Sequence, residues 1–278
     1  MPAAISGANP SCFLFLIDQS ASMQQPFGGS QSNKKKAEGV ADAINRLLQN
    51  LVIKCAKSEG VRDYYSVGVI GYGIQVAPAF QGTLVNQELV TISKIANHPL
   101  RIEERTKLVD DGIGGLVKQT VKFPIWFEPV AQGQTPMCEA MTFAQRILAK
   151  WLSQHPDCFP PIVINMTDGA ATDGDPMIAA QRLKNLSSSD GKVLLFNINF
   201  SSHSVNPIEF PDTDKLLPGK YAKQLFQMSS RLPKHMQKIA QQEYGISISE
   251  QTRGFTFHAD MVALIKFLDI GTRPSNLE

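Results

Sequence analysis

The sequence predicts an α/β protein: a three-layer, Rossmann-like sandwich with a mostly parallel central sheet, one antiparallel edge strand, and helices on both faces. Two observations lead there. Short runs that are apolar at almost every position recur along the chain, and amphipathic helical patterns separate them. Strands apolar on both faces belong in a buried parallel sheet, and strand–helix alternation closes such a sheet through right-handed crossovers.

The first run is Phe13, Leu14, Phe15, Leu16, Ile17. A helix follows, with Val40, Ile44, Leu47, Leu48 and Leu51 on one face. Val67, Gly68, Val69 and Ile70 mark the second strand. Met137, Met141, Ala144, Leu148 and Trp151 mark the next helix, and Ile162, Val163, Ile164 the third strand. Asp175 before Pro176 is an N-cap followed by a proline in the first helical position, so a helix with Ala179, Leu183 and Leu186 starts there. Val193 to Phe196 with Ile198 gives the fourth strand, and Gly254-Phe-Thr-Phe a late one. Met261, Leu264, Ile265 and Leu268 predict the last helix. The 278 residues are expected to form a single domain, 1–278, with insertions at about 97–134 and 201–250.

Composition narrows the function. A formal net charge of +2 is too weak to make nucleic acid or an anionic membrane the main partner. The run Lys34, Lys35, Lys36 reads as a solvated helix start. The four cysteines, Cys12, Cys55, Cys138 and Cys158, have no zinc-binding spacing and read as reduced thiols, with Cys12 and Cys55 buried as small apolar groups. The Cys12–Ile17 run is too short for a signal-peptide core or a membrane span. The expectation is therefore a cytoplasmic protein, with Leu277-Glu278 set aside as a cloning remnant.

The chemistry gathers where strands end. The first strand runs into Asp18-Gln19-Ser20-Ala21-Ser22, a D-x-S-x-S motif. In open α/β sheets, ligands bind outside the carboxyl ends of the strands. The third strand runs into Asn165-Met166-Thr167-Asp168-Gly169, a second carboxylate at the same edge. Gly133-Gln134-Thr135-Pro136 precedes the Met137 helix and offers another hydroxyl. Such hard oxygens suit Mg²⁺, Mn²⁺ or Ca²⁺ better than copper or zinc. Asp175 reads as a helix cap and Asp173 as loop polarity. Gly71-Tyr72-Gly73 lacks the third glycine of a dinucleotide fingerprint and reads as strand packing.

From about Phe13 to Phe200 the chain resembles the von Willebrand factor type A family, also called the integrin I-domain family. The family's metal-ion-dependent adhesion site combines D-x-S-x-S, a loop threonine and a later aspartate. Asp18, Ser20, Ser22, Thr135 and Asp168 match it in order. The resemblance implies one divalent cation, with Mg²⁺ expected first. Ser20, Ser22 and often Thr135 would touch it, while Asp18 and Asp168 act largely through water. One position would remain for an Asp or Glu of a protein partner.

The expected function is that of a metal-dependent adaptor in signalling, not an enzyme. Stand-alone bacterial members of the family work beside a protein kinase and phosphatase, or beside an AAA-type ATPase, so those are the partner classes implied. An alternative is a Mg²⁺- or Mn²⁺-dependent phosphoesterase using the same ion as Lewis acid; no P-loop, HExxH or GxSxG accompanies it, and Ser22 has no evident base. An extracellular adhesin is opposed by the absent export signal and the unpaired cysteines. Of the five histidines, His258 alone follows a strand toward this edge, while His98, His155, His203 and His235 fall in unrelated segments. Within the 97–134 segment, Val117, Val121, Phe123, Ile125 and Phe127 alternate with Lys118, Thr120 and Lys122. That pattern predicts a half-exposed hairpin that covers the sheet edge or walls the partner site, with Trp126 as an exposed anchor.

Overall fold

A computed structural model of the chain describes residues 5–6, 9–28, 34–110, 115–202 and 205–273. Gly112, Gly114, His203, Leu277 and Glu278 lie outside the described residues. In chain order the main elements are β1 (Ser11–Asp18), α1 (Lys36–Cys55), β2 (Tyr65–Tyr72), β3 (Val76–Pro78), β4 (Val90–Thr91), α2 (Ile92–Asn97), β5 (Arg101–Asp110), β6 (Leu116–Ile125), α3 (Met137–Gln154), β7 (Ile162–Thr167), α4 (Pro176–Asn185), β8 (Leu194–Phe200), β9 (Ile208–Glu209), α5 (Gly219–Met228), α6 (Lys234–Tyr244), β10 (Phe255–Ala259) and α7 (Met261–Thr272).

Strand β1 is buried at all eight positions, because it lies between β2 and β7 and runs parallel to both. The main sheet has the order β9-β10-β8-β7-β1-β2-β3, and β4 also pairs with β2. Strands β2, β1, β7, β8 and β10 are parallel. Antiparallel pairing occurs at both edges, β3 and β4 on β2 and the two-residue β9 on β10. From β3 to β10 the order is the 3-2-1-4-5-6 of doubly wound sheets, whose crevice opens outside the carboxyl ends where the order reverses. Here that point lies between β1 and β7.

The period-two alternation of β1 divides the core. Phe13, Phe15 and Ile17 join the cluster containing Val40, Ile44 and Leu48 of α1 and Phe267 of α7. Cys12, Leu14 and Leu16 join the opposite cluster, with Met141, Ala144 and Leu148 of α3 and Leu183 of α4. Asp175 caps α4 by accepting the Met177 N–H, as its pairing with Pro176 predicts. On α7 the inward residues are Leu264, Phe267 and Leu268, while Ile265 faces outward. The four cysteines are free thiols, and Cys12, Cys55 and Cys158 are buried.

A line of buried polar groups crosses the parallel strands. The Tyr72 hydroxyl donates to Asn165 Oδ1 at 2.7 Å, Asn165 Nδ2 donates to Asn197 Oδ1 at 3.0 Å, and Asn197 Nδ2 donates to Ser229 Oγ at 2.9 Å. Asn165 and Asn197 are lateral partners in the β7–β8 register. Buried amides persist because each is hydrogen-bonded.

Strands β5 and β6 form a hairpin with its own two-stranded sheet. Among the described residues it forms no ladder with the main sheet. It stands on α1, where Gln49 Nε2 donates to the Lys122 carbonyl at 3.2 Å and Arg105 pairs with Asp42 at 3.0 Å. Phe123 and Ile125 are buried as the alternation predicts, and Phe127 is buried past the end of the strand, whereas Val117 is 48% exposed. Trp126 is not an exposed anchor: it is 2% exposed. Strand β6 ends at Ile125, so the alternation no longer sets which way residue 126 faces. Its backbone N–H donates to Asn45 Oδ1 at 2.9 Å and its indole N–H to the Ile95 carbonyl at 2.7 Å.

Candidate metal centre

The site grows out of the end of β1. Asp18 is the last residue of the strand and is fully buried. Its Oδ1 accepts the Ser20 N–H at 2.8 Å, and its Oδ2 accepts the Thr167 hydroxyl at 2.7 Å. A 3-10 turn, Ala21–Gln24, then brings Ser22 beside Ser20, with their hydroxyl oxygens 2.9 Å apart. The Ser22 hydroxyl donates to Asp168 Oδ1 at 2.6 Å. Four of the five residues singled out in the sequence are thus joined in one hydrogen-bonded series at the reversal point of the sheet.

Thr135 reaches the same place through backbone closure. Gln132 N–H donates to the Gln19 carbonyl at 2.5 Å, and Ala21 N–H donates to the Gly133 carbonyl at 3.1 Å. This close approach needs glycine. Gly133 has φ +86°, and a Cβ there would lie 2.6 Å from the Ile74 nitrogen. A Cβ at Gly73 would lie 2.6 Å from the Gln132 carbonyl oxygen, so the Gly71-Tyr72-Gly73 segment is indeed a packing feature. The buried Thr135 donates its N–H to Thr172 Oγ1 at 3.1 Å. Its hydroxyl oxygen faces Gly169, where an added Cβ would come within 3.9 Å of it.

Two residues at the site escape the motif. Thr167 holds Asp18, and it stands one residue before Asp168 in the segment that carries the second carboxylate. Lys36 is the other: it is 2% exposed, and its Nζ donates to Asp168 Oδ2 at 2.9 Å. The reading of Lys34 to Lys36 as a solvated run therefore fails at Lys36. Its position was legible, since Lys36 shares the i, i+4 stripe of Val40 and Ile44 on the buried face of α1. Asp173 is more than loop polarity, because its carboxylate accepts the N–H groups of Cys138 and Glu139 at 3.1 and 2.9 Å and so caps α3. His258 lies within β10 with its ring stacked on Phe257, centroids 4.0 Å apart.

Burial pushes the Asp18 carboxyl up to about 6, against hydrogen bonds from Ser20 and Thr167 that pull it down. Tyr72 and Tyr221 are also pushed up, by burial first and then by the nearby Asp18 charge.

The donor set fits a hard divalent cation. Ligands adjacent on an octahedron with metal–oxygen distances of about 2.0–2.1 Å stand about 2.9 Å apart. The Ser20–Ser22 hydroxyl oxygens stand 2.9 Å apart. Among the described residues no three His, Cys, Asp or Glu side chains form a group that could hold a metal ion. The site is hydroxyl-rich, with two carboxylates.

No family model and no curated protein matches the sequence. Solved structures with similarity include a von Willebrand factor type A protein from Catenulispora acidiphila, 13% identical over 80% of this chain and 36% of that one, with a TM-score of 0.43. The ArnB paralog VWA2 from Sulfolobus acidocaldarius is 14% identical over 73% of this chain and 37% of that one, with a TM-score of 0.36. Three N-terminal domains of the type V pili tip protein Mfa5 from Porphyromonas gingivalis are 17% identical over 59% of this chain and 20% of that one, with a TM-score of 0.32. The chain spans between a fifth and two fifths of the length of these three structures.

Proposed function

We propose that the chain is a von Willebrand factor A-type interaction module that holds one divalent cation, Mg²⁺ before Mn²⁺ or Ca²⁺, and through it an acidic side chain of a protein partner. One observation carries this reading: the unbroken series Ser20–Ser22–Asp168, backed by buried Asp18, at the carboxyl-end crevice of the sheet. When bound, the cation supplies an electrophilic centre with a position open to an outside carboxylate. Ser20 and Ser22 would hold it directly, with Thr135 from the neighbouring loop. Both oxygens of Asp18 are already engaged by Ser20 and Thr167, so Asp18 serves as a charge behind the donors. No helix of the described residues is long and apolar enough to cross a membrane. An adaptor role in the cytoplasm, beside a kinase and phosphatase pair or an AAA-type ATPase, belongs to the same proposal.

Calorimetry with Mg²⁺ and Mn²⁺ tests the site. One ion per chain is expected in the wild type, and Asp18→Ala should abolish binding. Unchanged affinity in Asp18→Ala would overturn the assignment. A pull-down with and without chelator tests the partner in the same terms. The protein is expected not to hydrolyse phosphate esters with Mg²⁺ or Mn²⁺; a rate that survives purification and vanishes in Asp168→Ala would replace the adaptor reading with a hydrolytic one.

A further inference from the structure

The first residue of α1 places an ammonium group beneath the candidate site. The side chains of Lys36 and Asp168 are 3% and 1% exposed. The two oxygens of Asp168 face different ways: Oδ1 accepts from Ser22 at 2.6 Å, and Oδ2 accepts from Lys36 Nζ at 2.9 Å. Lys36 Nζ also donates to Gln25 Oε1 at 3.3 Å, and that oxygen accepts the Ser202 hydroxyl at 2.6 Å. A buried ammonium persists only where it is paired and hydrogen-bonded, and this one is held from two sides.

Lys36 therefore leaves the face of Asp168 that meets the hydroxyls free while cancelling the charge of that carboxylate. Asp18 and Asp168 bring two negative charges and Lys36 one positive, so the protein contributes a net single negative charge. A divalent cation then leaves the site with one net positive charge. Without Lys36 the loaded site would be neutral, and an incoming carboxylate would gain little from the field.

We infer that Lys36 is a positioning and charge-setting residue: it fixes Asp168 and keeps the cation-loaded site net positive, so that the site weakens its hold on the cation and recruits one outside carboxylate. The inference rests on the cation-binding reading above. It assigns Lys36 a cost to metal affinity and a gain to anion affinity, two effects of opposite sign that a merely structural lysine would not produce.

The test uses Mn²⁺ as the metal and acetate as the carboxylate. Calorimetry reads Mn²⁺ affinity, and the fall in water-proton relaxation of bound Mn²⁺ reads acetate taking a water's place. A unit charge a few ångströms from a divalent ion, at an effective dielectric of about 20, is worth at least about a tenfold factor in affinity. Lys36→Met should bind Mn²⁺ at least about tenfold tighter and acetate about tenfold more weakly, while Lys36→Arg should stay near the wild type in both. Should Lys36→Met fail to fold, Lys36→Gln keeps a hydrogen-bond donor toward Asp168 and is expected to shift both affinities the same way. Unchanged or weaker Mn²⁺ binding in the folded variant, or unchanged acetate binding, overturns the role of Lys36 while leaving the cation site standing. A wild type that binds no Mn²⁺ overturns the cation reading itself, and this inference with it.

Discussion

The near end of the β5–β6 hairpin, where β5 begins and β6 ends, is built into the domain, while toward the far end Val117 to Thr120 of β6 are exposed, although one alternating pattern runs through both. At the near end Phe123, Ile125, Trp126 and Phe127 are buried, and Asn45 of α1 ties the segment down by accepting the Trp126 N–H and donating to the Phe127 carbonyl at 3.1 Å. At the far end Val117 is 48% exposed. An alternating strand states which residues share a face; whether that face is covered depends on what another element brings to it, and here α1 meets the near end.

The largest expected effect that would sharpen this contrast comes from Trp126→Ala. Removing a buried indole should cost about 3–5 kcal/mol in denaturant unfolding, and a loss under about 1 kcal/mol would mean that the near end is not part of the core. Asn45→Ala should follow at about 1–3 kcal/mol, because it strands a buried backbone donor and a carbonyl together. Arg105→Ala should cost at most about 1 kcal/mol in the same assay, since the side chains of its pairs with Asp42 and Glu103 are 27–32% exposed. A larger loss would move the boundary of the anchored region outward.

Acid probes the same anchor. Burial works to raise the Asp42 carboxyl, yet hydrogen bonds from Lys34 and Arg105 hold it below its ordinary 3.8. The folded state thus binds this proton less readily than the unfolded chain. The resulting stability is present above the unfolded value and is lost as the pH falls through the folded one. The difference in melting temperature between the wild type and Asp42→Asn should therefore shrink below about pH 3.8. The smallest effect belongs to the far end, where Val117→Ser should change stability by no more than about 0.5 kcal/mol.

Much of the fold was legible because burial on both faces leaves a simple mark. Phe13 to Ile17 can be apolar without interruption only between two neighbours in the sheet, and the Asp175-Pro176 pair marks a helix start by local chemistry alone. Trp126 was misplaced because the alternation was extended one residue past the end of its strand. The serines and aspartates of the candidate site stood out because they interrupt apolar strands at their carboxyl ends. Lys36 did not, since a charged residue in a run of three lysines reads as solvated unless its helical stripe is followed down to Val40 and Ile44. Thr167 was hidden for another reason: a hydroxyl at the end of a buried strand is common, and only the fold shows that it reaches Asp18.

The asparagine line between β7 and β8 acts as an alignment key for the strands that bear the site. Each step of a strand advances about 3.3 Å, so sliding β7 by one residue would break the Asn165–Asn197 pair and turn the Asn165 amide to the opposite, apolar face. The same slip would carry Thr167 about 3.3 Å from its place beside Asp18, more than the whole 2.7 Å length of the hydrogen bond that joins them. A polar pair in the middle of the sheet thereby keeps the strand tips in phase, because a slipped register would scatter the oxygens.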